Sequence, residues 1–138
     1  MTFFRFVSLF ALVALSLAAR AAEAPAVAPA GAARLVADGK AVLVDVREPA
    51  EWAETGVAAP AVLLASSDFA GAQKDWKPFL EKNRGKQIIL YCRSGRRSGL
   101  VAATLADKGF QAANAGGLKD WIAAGLPVRK VGPPPSAR

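Results

Sequence analysis

Two rhythms of apolar and polar positions divide the chain. Short, nearly continuous apolar runs mark strands buried on both faces: Ala41 to Val46, broken only by Asp45; Ala61 to Ala65; Gln87 to Tyr91; and Phe110 to Ala113. Between them, apolar residues recur at helical spacing. Helices are predicted over Ala32 to Ala37, ended by Asp38-Gly39, and over Pro49 to Glu54, where Pro49 suits a first turn. A further helix is predicted from Phe69, capped by Ser66-Ser67-Asp68, interrupted before Pro78 and ending near Asn83-Arg84-Gly85. After Tyr91, Leu100/Val101 and Thr104/Leu105 share one face of a helix that runs to Lys108 and stops at Gly109. Asn114-Ala115-Gly116-Gly117 reads as a loop, and Leu118 to Ala124 as a last helix stopped by Gly125, with Pro127 beyond. Alternating strands and helices specify the α/β class.

The two ends break this rhythm. Phe6 to Ala19 is apolar throughout apart from its serines, follows Arg5, and is too short for a comfortable membrane span. Ala19-Arg20-Ala21 fits a small-x-small cleavage site, so residues 1–21 are expected to be a signal peptide. Export to a bacterial periplasm, with no stable membrane span after cleavage, follows from that expectation. Residues 22–31 are rich in Ala and Pro and read as a flexible linker; residues 131–138, Pro-rich again, read as a disordered tail. One domain, residues 32–130, lies between them.

Charge narrows the picture only a little. The net charge is +7, and loss of Arg5 and Arg20 with the leader leaves +5. No basic stripe interleaved with aromatics accompanies it, which argues against nucleic-acid binding. The chain has no histidine. That removes Cys-His and Ser-His-Asp triads and every His-containing zinc site. Neither a phosphate-binding Gly-x-x-x-x-Gly-Lys loop nor a dinucleotide Gly-x-Gly-x-x-Gly fingerprint is present. No metal and no cofactor is expected.

One cysteine remains, and it cannot form an internal disulfide. Cys92 ends a predicted strand and opens the loop Cys92-Arg93-Ser94-Gly95-Arg96-Arg97-Ser98, which feeds a helix. A thiol there meets inward-turned backbone N–H groups, the positive end of a helix and three guanidinium groups, all of which favour the thiolate. Gly95 allows the positive φ that such a curl requires, and Ser98 is placed to cap the helix. A lone cysteine is more often an inert core residue, so it is the surrounding loop that marks Cys92 as a nucleophile. Asp45 and Arg47, at the C-terminal end of an earlier strand, reach the sheet edge where ligands collect in open α/β folds. They are expected to shape the site, chiefly as a structural pair, with Arg47 bonded to Asp45 or Glu51. Trp52 is expected to anchor the core.

The Cys-x-x-Gly-x-Arg pattern of Cys92 to Arg97 resembles the active-site loop of rhodanese sulfurtransferases. Cysteine phosphatases instead carry Cys, five residues, then Arg, and here that place is held by Ser98. Asp45-Val46-Arg47-Glu48 with Glu51-Trp52 resembles the family's entry motif, and Asn114-Ala115-Gly116-Gly117-Leu118-Lys119-Asp120-Trp121 its C-terminal motif. With the leader, the combination is similar to small periplasmic rhodaneses of the phage-shock type. Gly56-Val57-Ala58-Ala59-Pro60-Ala61 departs from the family's Gly-His-Ile-x-Gly-Ala.

The resemblance implies a rhodanese-like fold, a mainly parallel central sheet with helices on both faces. It implies sulfur transfer through a Cys92 persulfide, with Arg93, Ser94, Gly95, Arg96, Arg97 and Ser98 forming the substrate-binding loop. The implied partners are a small anionic sulfur donor such as thiosulfate and a thiophilic acceptor, either cyanide, a thiol or a protein. The competing expectation is a non-catalytic rhodanese-like module that holds an anion or a partner in the same loop.

Overall fold

The computed structural model describes residues 23–135. The expected signal peptide, residues 1–21, lies outside them, as do the last three residues of the expected tail; residues 131–135 form neither helix nor strand.

Four strands make one sheet: β1 (Ala41–Asp45), β3 (Val62–Leu63), β4 (Gln87–Cys92) and β5 (Ala112–Gly117). Their order is β3-β1-β4-β5 and every neighbouring pair is parallel. A separate antiparallel pair joins β2 (Val57–Ala58) to β6 (Val128–Arg129). The helices are α1 (Pro29–Ala37), α2 (Pro49–Thr55), α3 (Ser66–Ala70), α4 (Trp76–Lys82), α5 (Arg96–Asp107) and α6 (Leu118–Ala123).

Period-two alternation splits the core into two layers. On one face of the sheet Leu43, Ile89 and Tyr91 pack with Ala32 of α1 and with Leu118 and Trp121 of α6. On the other face Val44, Ile88, Leu90 and Cys92 pack with Val101, Ala102 and Leu105 of α5 and with Trp76 of α4. The expected α/β architecture, a parallel sheet covered on both sides, is therefore present. Cys92 belongs to the α5 face because it is two residues on from Leu90.

Several boundaries differ from the sequence reading. Helix α1 starts at Pro29 rather than Ala32, because Pro29 presets the φ of a first turn and Ala-rich sequence propagates it. Just before it, Asn114 donates its N–H to the Pro25 carbonyl at 2.8 Å and accepts the Val27 N–H at 2.9 Å. Most of the stretch read as a flexible linker thus lies against the outer edge of β5 or within α1. Helix α3 begins at Ser66, and the interruption falls at residues 71–75, where Gln73 takes a positive φ of 55°. Asp68 caps the second piece instead of the first, accepting the backbone N–H groups of Lys74 and Asp75 at 2.8 and 2.9 Å.

At the critical edge, β5 does not end at Ala113. Its pairing with β4 shifts register and continues to Cys92 opposite Gly117. Asn114 to Gly117 contains no strong strand former, so main-chain pairing, not propensity, decides this segment. Two tryptophans, Trp76 and Trp121, lie in the core as large apolar anchors. Trp52 is only half-buried, and its indole N–H is buried without a hydrogen-bond partner.

Candidate active site

The site is built at the C-terminal ends of β1, β4 and β5. Gly95 adopts φ +94°, which lets the chain swing directly from the loop into α5. The helix consequently starts at Arg96, and Arg96-Arg97-Ser98 form its first turn. Ser98 is not the cap that the sequence pointed to; its side chain turns inward, fully buried.

Cys92 is 1% exposed. On its sheet side it meets apolar neighbours, and on its loop side polar ones. The Gly95 N–H points at Sγ from 3.1 Å, and the Ser98 Oγ lies 3.4 Å from it. Burial pushes the thiol up, but hydrogen bonds from the Ser98 hydroxyl and from the backbone N–H groups of Ser98, Ser94 and Gly95 outweigh it. The net result is a thiol held below its ordinary value. Main-chain dipoles therefore favour the ionised sulfur against the desolvation that opposes it.

The three arginines are not equivalent. Arg93 and Arg96 are exposed at the mouth of the loop. Arg97 forms a two-pronged pair with Glu51 of α2, Nη1 to Oε2 at 2.7 Å and Nη2 to Oε1 at 2.8 Å. Glu51 also accepts the Glu48 N–H at 2.9 Å, which fixes the first turn of α2. Its bond to Arg97 pulls its carboxyl down to about 2, against the opposing effect of burial, with the Glu48 N–H adding to the depression. Arg97 in turn is raised, first by Glu51, against burial, and further by the charges of Glu51 and Cys92. This ties α5 to α2 and keeps a cation near the sulfur.

Asp45 and Arg47 form a buried pair, 0% and 2% exposed, with Nη2 2.7 Å from Oδ2. Arg47 Nε reaches Asp45 at 3.0 Å, Nη1 donates to Thr55 Oγ1 at 2.8 Å, and Nη2 also donates to the Gly56 carbonyl at 2.8 Å. The pair thus staples the end of β1 to the end of α2. Of the two partners considered for Arg47, the structure selects Asp45. A small pocket of about 110 Å³, lined by Arg47, Glu51, Glu54, Thr55 and Arg93, opens beside it. A larger depression of about 270 Å³ lies at the far end of β4 and β5, around Lys86 and Lys108, away from Cys92.

Behind the loop stands the end of β5. A Cβ on Gly95 would meet Gly116 Cα at 3.1 Å, and one on Gly117 would strike the Arg93 carbonyl. Small residues in both segments are thus what allow the Cys92 loop to rest on its support. Asn114 joins the two: its Nδ2 donates to the Gly95 carbonyl at 2.9 Å, and its Oδ1 accepts from Ser98 Oγ at 2.8 Å and from the Gly116 N–H at 3.0 Å. Sequence reasoning puts Asn114 in a loop and gives Glu51 only as one of two partners for Arg47. The one sign for Asn114 is an amide placed after an apolar run, at the same sheet edge as Cys92. Among the described residues no cluster of His, Cys, Asp and Glu is suited to a metal ion, and no helix is long and apolar enough to cross a membrane.

Residues 28–124 match the profile of the rhodanese-like domain. A mitochondrial protein of Schizosaccharomyces pombe, provisionally named a thiosulfate sulfurtransferase, is 32% identical over 88 residues, covering 56% of this chain and 59% of that protein. The chain spans 55–59% of the length of the curated relatives it matches. Among solved structures, a human single-domain sulfurtransferase is similar with TM-score 0.58 and 25% identity, over 72% of this chain and 96% of that one. A Rhodopseudomonas palustris protein of unknown function, described as a possible tyrosine phosphatase, is similar with TM-score 0.63 and 27% identity, over 77% and 85%.

Proposed function

Because the chain belongs to the rhodanese-like domain family, we propose that it is a sulfurtransferase that carries a sulfane sulfur on Cys92. The Cys92 thiolate attacks the outer sulfur of thiosulfate or a similar anionic donor. A sulfur–sulfur bond forms on Cys92, the donor's sulfur–sulfur bond breaks, and sulfite leaves with the electron pair. A thiophilic nucleophile, cyanide in an assay or a thiol or protein thiol in the cell, then attacks the terminal sulfur and releases the Cys92 thiolate. Two displacements through one covalent intermediate give ping-pong kinetics.

The observation that carries this reading is the Gly95 N–H aimed at Sγ from 3.1 Å, with the Ser98 hydroxyl beside it. The same N–H groups that favour the thiolate suit the extra charge of a persulfide. Arg93 and Arg96, exposed at the mouth, attract the dianion, while Arg97 is held near the sulfur by Glu51. The proposed compartment is the periplasm, on the strength of the apolar stretch and cleavage site over residues 1–21.

One observation favours a second reading. Cys92 is 1% exposed, which a module that only holds an anion or partner in this loop would tolerate. A phosphatase reading is opposed by Ser98, which stands where the Cys-x5-Arg loop needs its arginine. Cys92→Ser is the test. Thiosulfate:cyanide turnover is expected in the parent protein and lost in the variant, with unchanged thermal unfolding. Turnover retained by Cys92→Ser, or absent from the parent, would overturn the sulfurtransferase reading.

A further inference from the structure

We propose that Asn114 is the positioning residue of this site: its side-chain amide fixes the Gly95 carbonyl and the Ser98 hydroxyl, and through them the polar groups that face Sγ. The inference rests on Cys92 being the reactive sulfur, as in the function proposed above.

The amide's orientation is not free. The Gly95 carbonyl can only accept, so Nδ2 must face it; the Gly116 N–H can only donate, so Oδ1 must face that side. A flipped amide would set oxygen against oxygen at one end and N–H against N–H at the other. The backbone of Asn114 is also held at both its N–H and its C=O, by Pro25 and Val27 on the outer edge of β5. The amide is therefore a rigid bracket between β5 and the Cys92 loop. Gly99 of α5 reinforces the fit, since a Cβ there would lie 3.1 Å from Nδ2.

Ser98 then faces two acceptors with one proton. Its Oγ is 2.8 Å from Asn114 Oδ1 and 3.4 Å from Sγ. While the sulfur is a neutral thiol, the nearer amide oxygen takes the proton, and Ser98 presents a lone pair to the S–H. When the sulfur ionises, the hydroxyl turns to donate to it, and Oδ1 keeps the Gly116 N–H. No partner is left unsatisfied in either arrangement, so the hydroxyl can follow the charge at low cost.

The charged groups around the sulfur set the background for a test. Arg97 faces it from α5 and is paired with Glu51 of α2; Arg93 and Arg96 are the other cations of the loop. Asp120 of α6 stands behind the support, accepting the Gly117 N–H at 2.9 Å. None of these is altered by changing Asn114.

The experiment is the rate of Cys92 alkylation by iodoacetamide as a function of pH, in the full chain and in Asn114→Ala and Asn114→Asp. It needs no sulfur donor, so it separates this inference from the sulfurtransferase reading, which sulfur transfer in the parent protein tests. Asn114→Asp keeps the shape of the side chain but sets a carboxylate oxygen against the Gly95 carbonyl and a negative charge one hydroxyl away from Sγ. Asn114→Ala removes all three side-chain contacts without adding charge. At a pH below the midpoint, alkylation should slow about threefold in Asn114→Ala and about tenfold in Asn114→Asp, as the thiolate fraction falls. Their midpoints should rise in the same order. The added charge alone would raise the midpoint of Asn114→Asp even if the side chain only filled space, so the uncharged Asn114→Ala carries the decision. An Asn114→Ala midpoint equal to the parent's, or below it, overturns the proposal. Leu43→Ala, which loosens the opposite layer of the core, should lower stability and leave the midpoint in place; should Asn114→Asp fail to fold, a parent-like midpoint in Asn114→Ala is itself the contrary result.

Discussion

Gly117→Ala probes the support of the Cys92 loop without touching any group that does chemistry. Gly117 has φ −110° and ψ 160°, a conformation that alanine adopts freely, so no backbone strain is introduced. The obstacle is purely steric. A Cβ at this position would strike the Arg93 carbonyl oxygen, lie 3.0 Å from the carbonyl carbon and 3.3 Å from Ser94 Cα. Carbon atoms in contact sit about 3.5–4.0 Å apart, so the carbon contacts alone demand a retreat of at least about 0.5 Å, and the oxygen demands more. The atoms in the way are main chain, which no rotamer change can clear. Arg93 and Ser94 belong to the curl that aims its N–H groups at Cys92, so the nest opens as they retreat. Displacements on the order of 1 Å at a reacting centre cost about 10²-fold in rate, and overpacking costs about 1–3 kcal/mol in stability. The assay is sulfur transfer from thiosulfate to cyanide, read beside urea denaturation. Gly39→Ala is the control. Gly39 has φ +71° and open space where a methyl group would stand, so alanine there costs about 1–2 kcal/mol through its left-handed backbone and leaves the site alone. Turnover should collapse in Gly117→Ala and persist in Gly39→Ala at similar stability. Parent-like turnover in Gly117→Ala would refute the claim that the end of β5 holds the nest in shape.

Two further outcomes follow from the ion pairs. Arg47→Leu leaves Asp45 as an uncompensated charge at 0% exposure and should destabilise the protein by about 3–5 kcal/mol in urea denaturation; a loss under about 1 kcal/mol would contradict the stapling role. Glu51, with its carboxyl at about 2 in the folded protein against 4.5 ordinarily, adds stability that is fully present above pH 4.5 and is lost as pH falls toward 2. Because both partners are partly exposed, that contribution is about 1 kcal/mol, and Glu51→Gln should flatten stability across this window; parallel curves for the two proteins would count against it.

Much of the architecture is legible in the residues. Unbroken apolar runs such as Ala41 to Val46 and Ile88 to Leu90 admit few environments other than a covered parallel sheet, and the layers follow from them. The loop around Cys92 is legible because a strand, a cysteine, a glycine and a helix in that order leave little geometric freedom. What escapes is decided by partners distant in sequence. Asn114 to Gly117 looks like a loop by composition and becomes strand because β4 and Pro25 to Val27 pair with its main chain. Ser98 has the chemistry of a cap, but Gly95 starts the helix earlier and turns Ser98 inward. Arg97 finds Glu51 across 46 residues of sequence, a pairing that no local pattern encodes. The β2–β6 pair is equally non-local, and Val57 and Ala58 carry no strand signal by themselves.

The most direct measurement is the intact mass of the protein after incubation with thiosulfate and removal of the donor. The account predicts a gain of one sulfur atom, discharged by cyanide and absent from Cys92→Ser. An unchanged mass in a protein whose Cys92 still reacts with iodoacetamide would contradict it, since the sulfur would then be ionised and reachable yet unable to carry another.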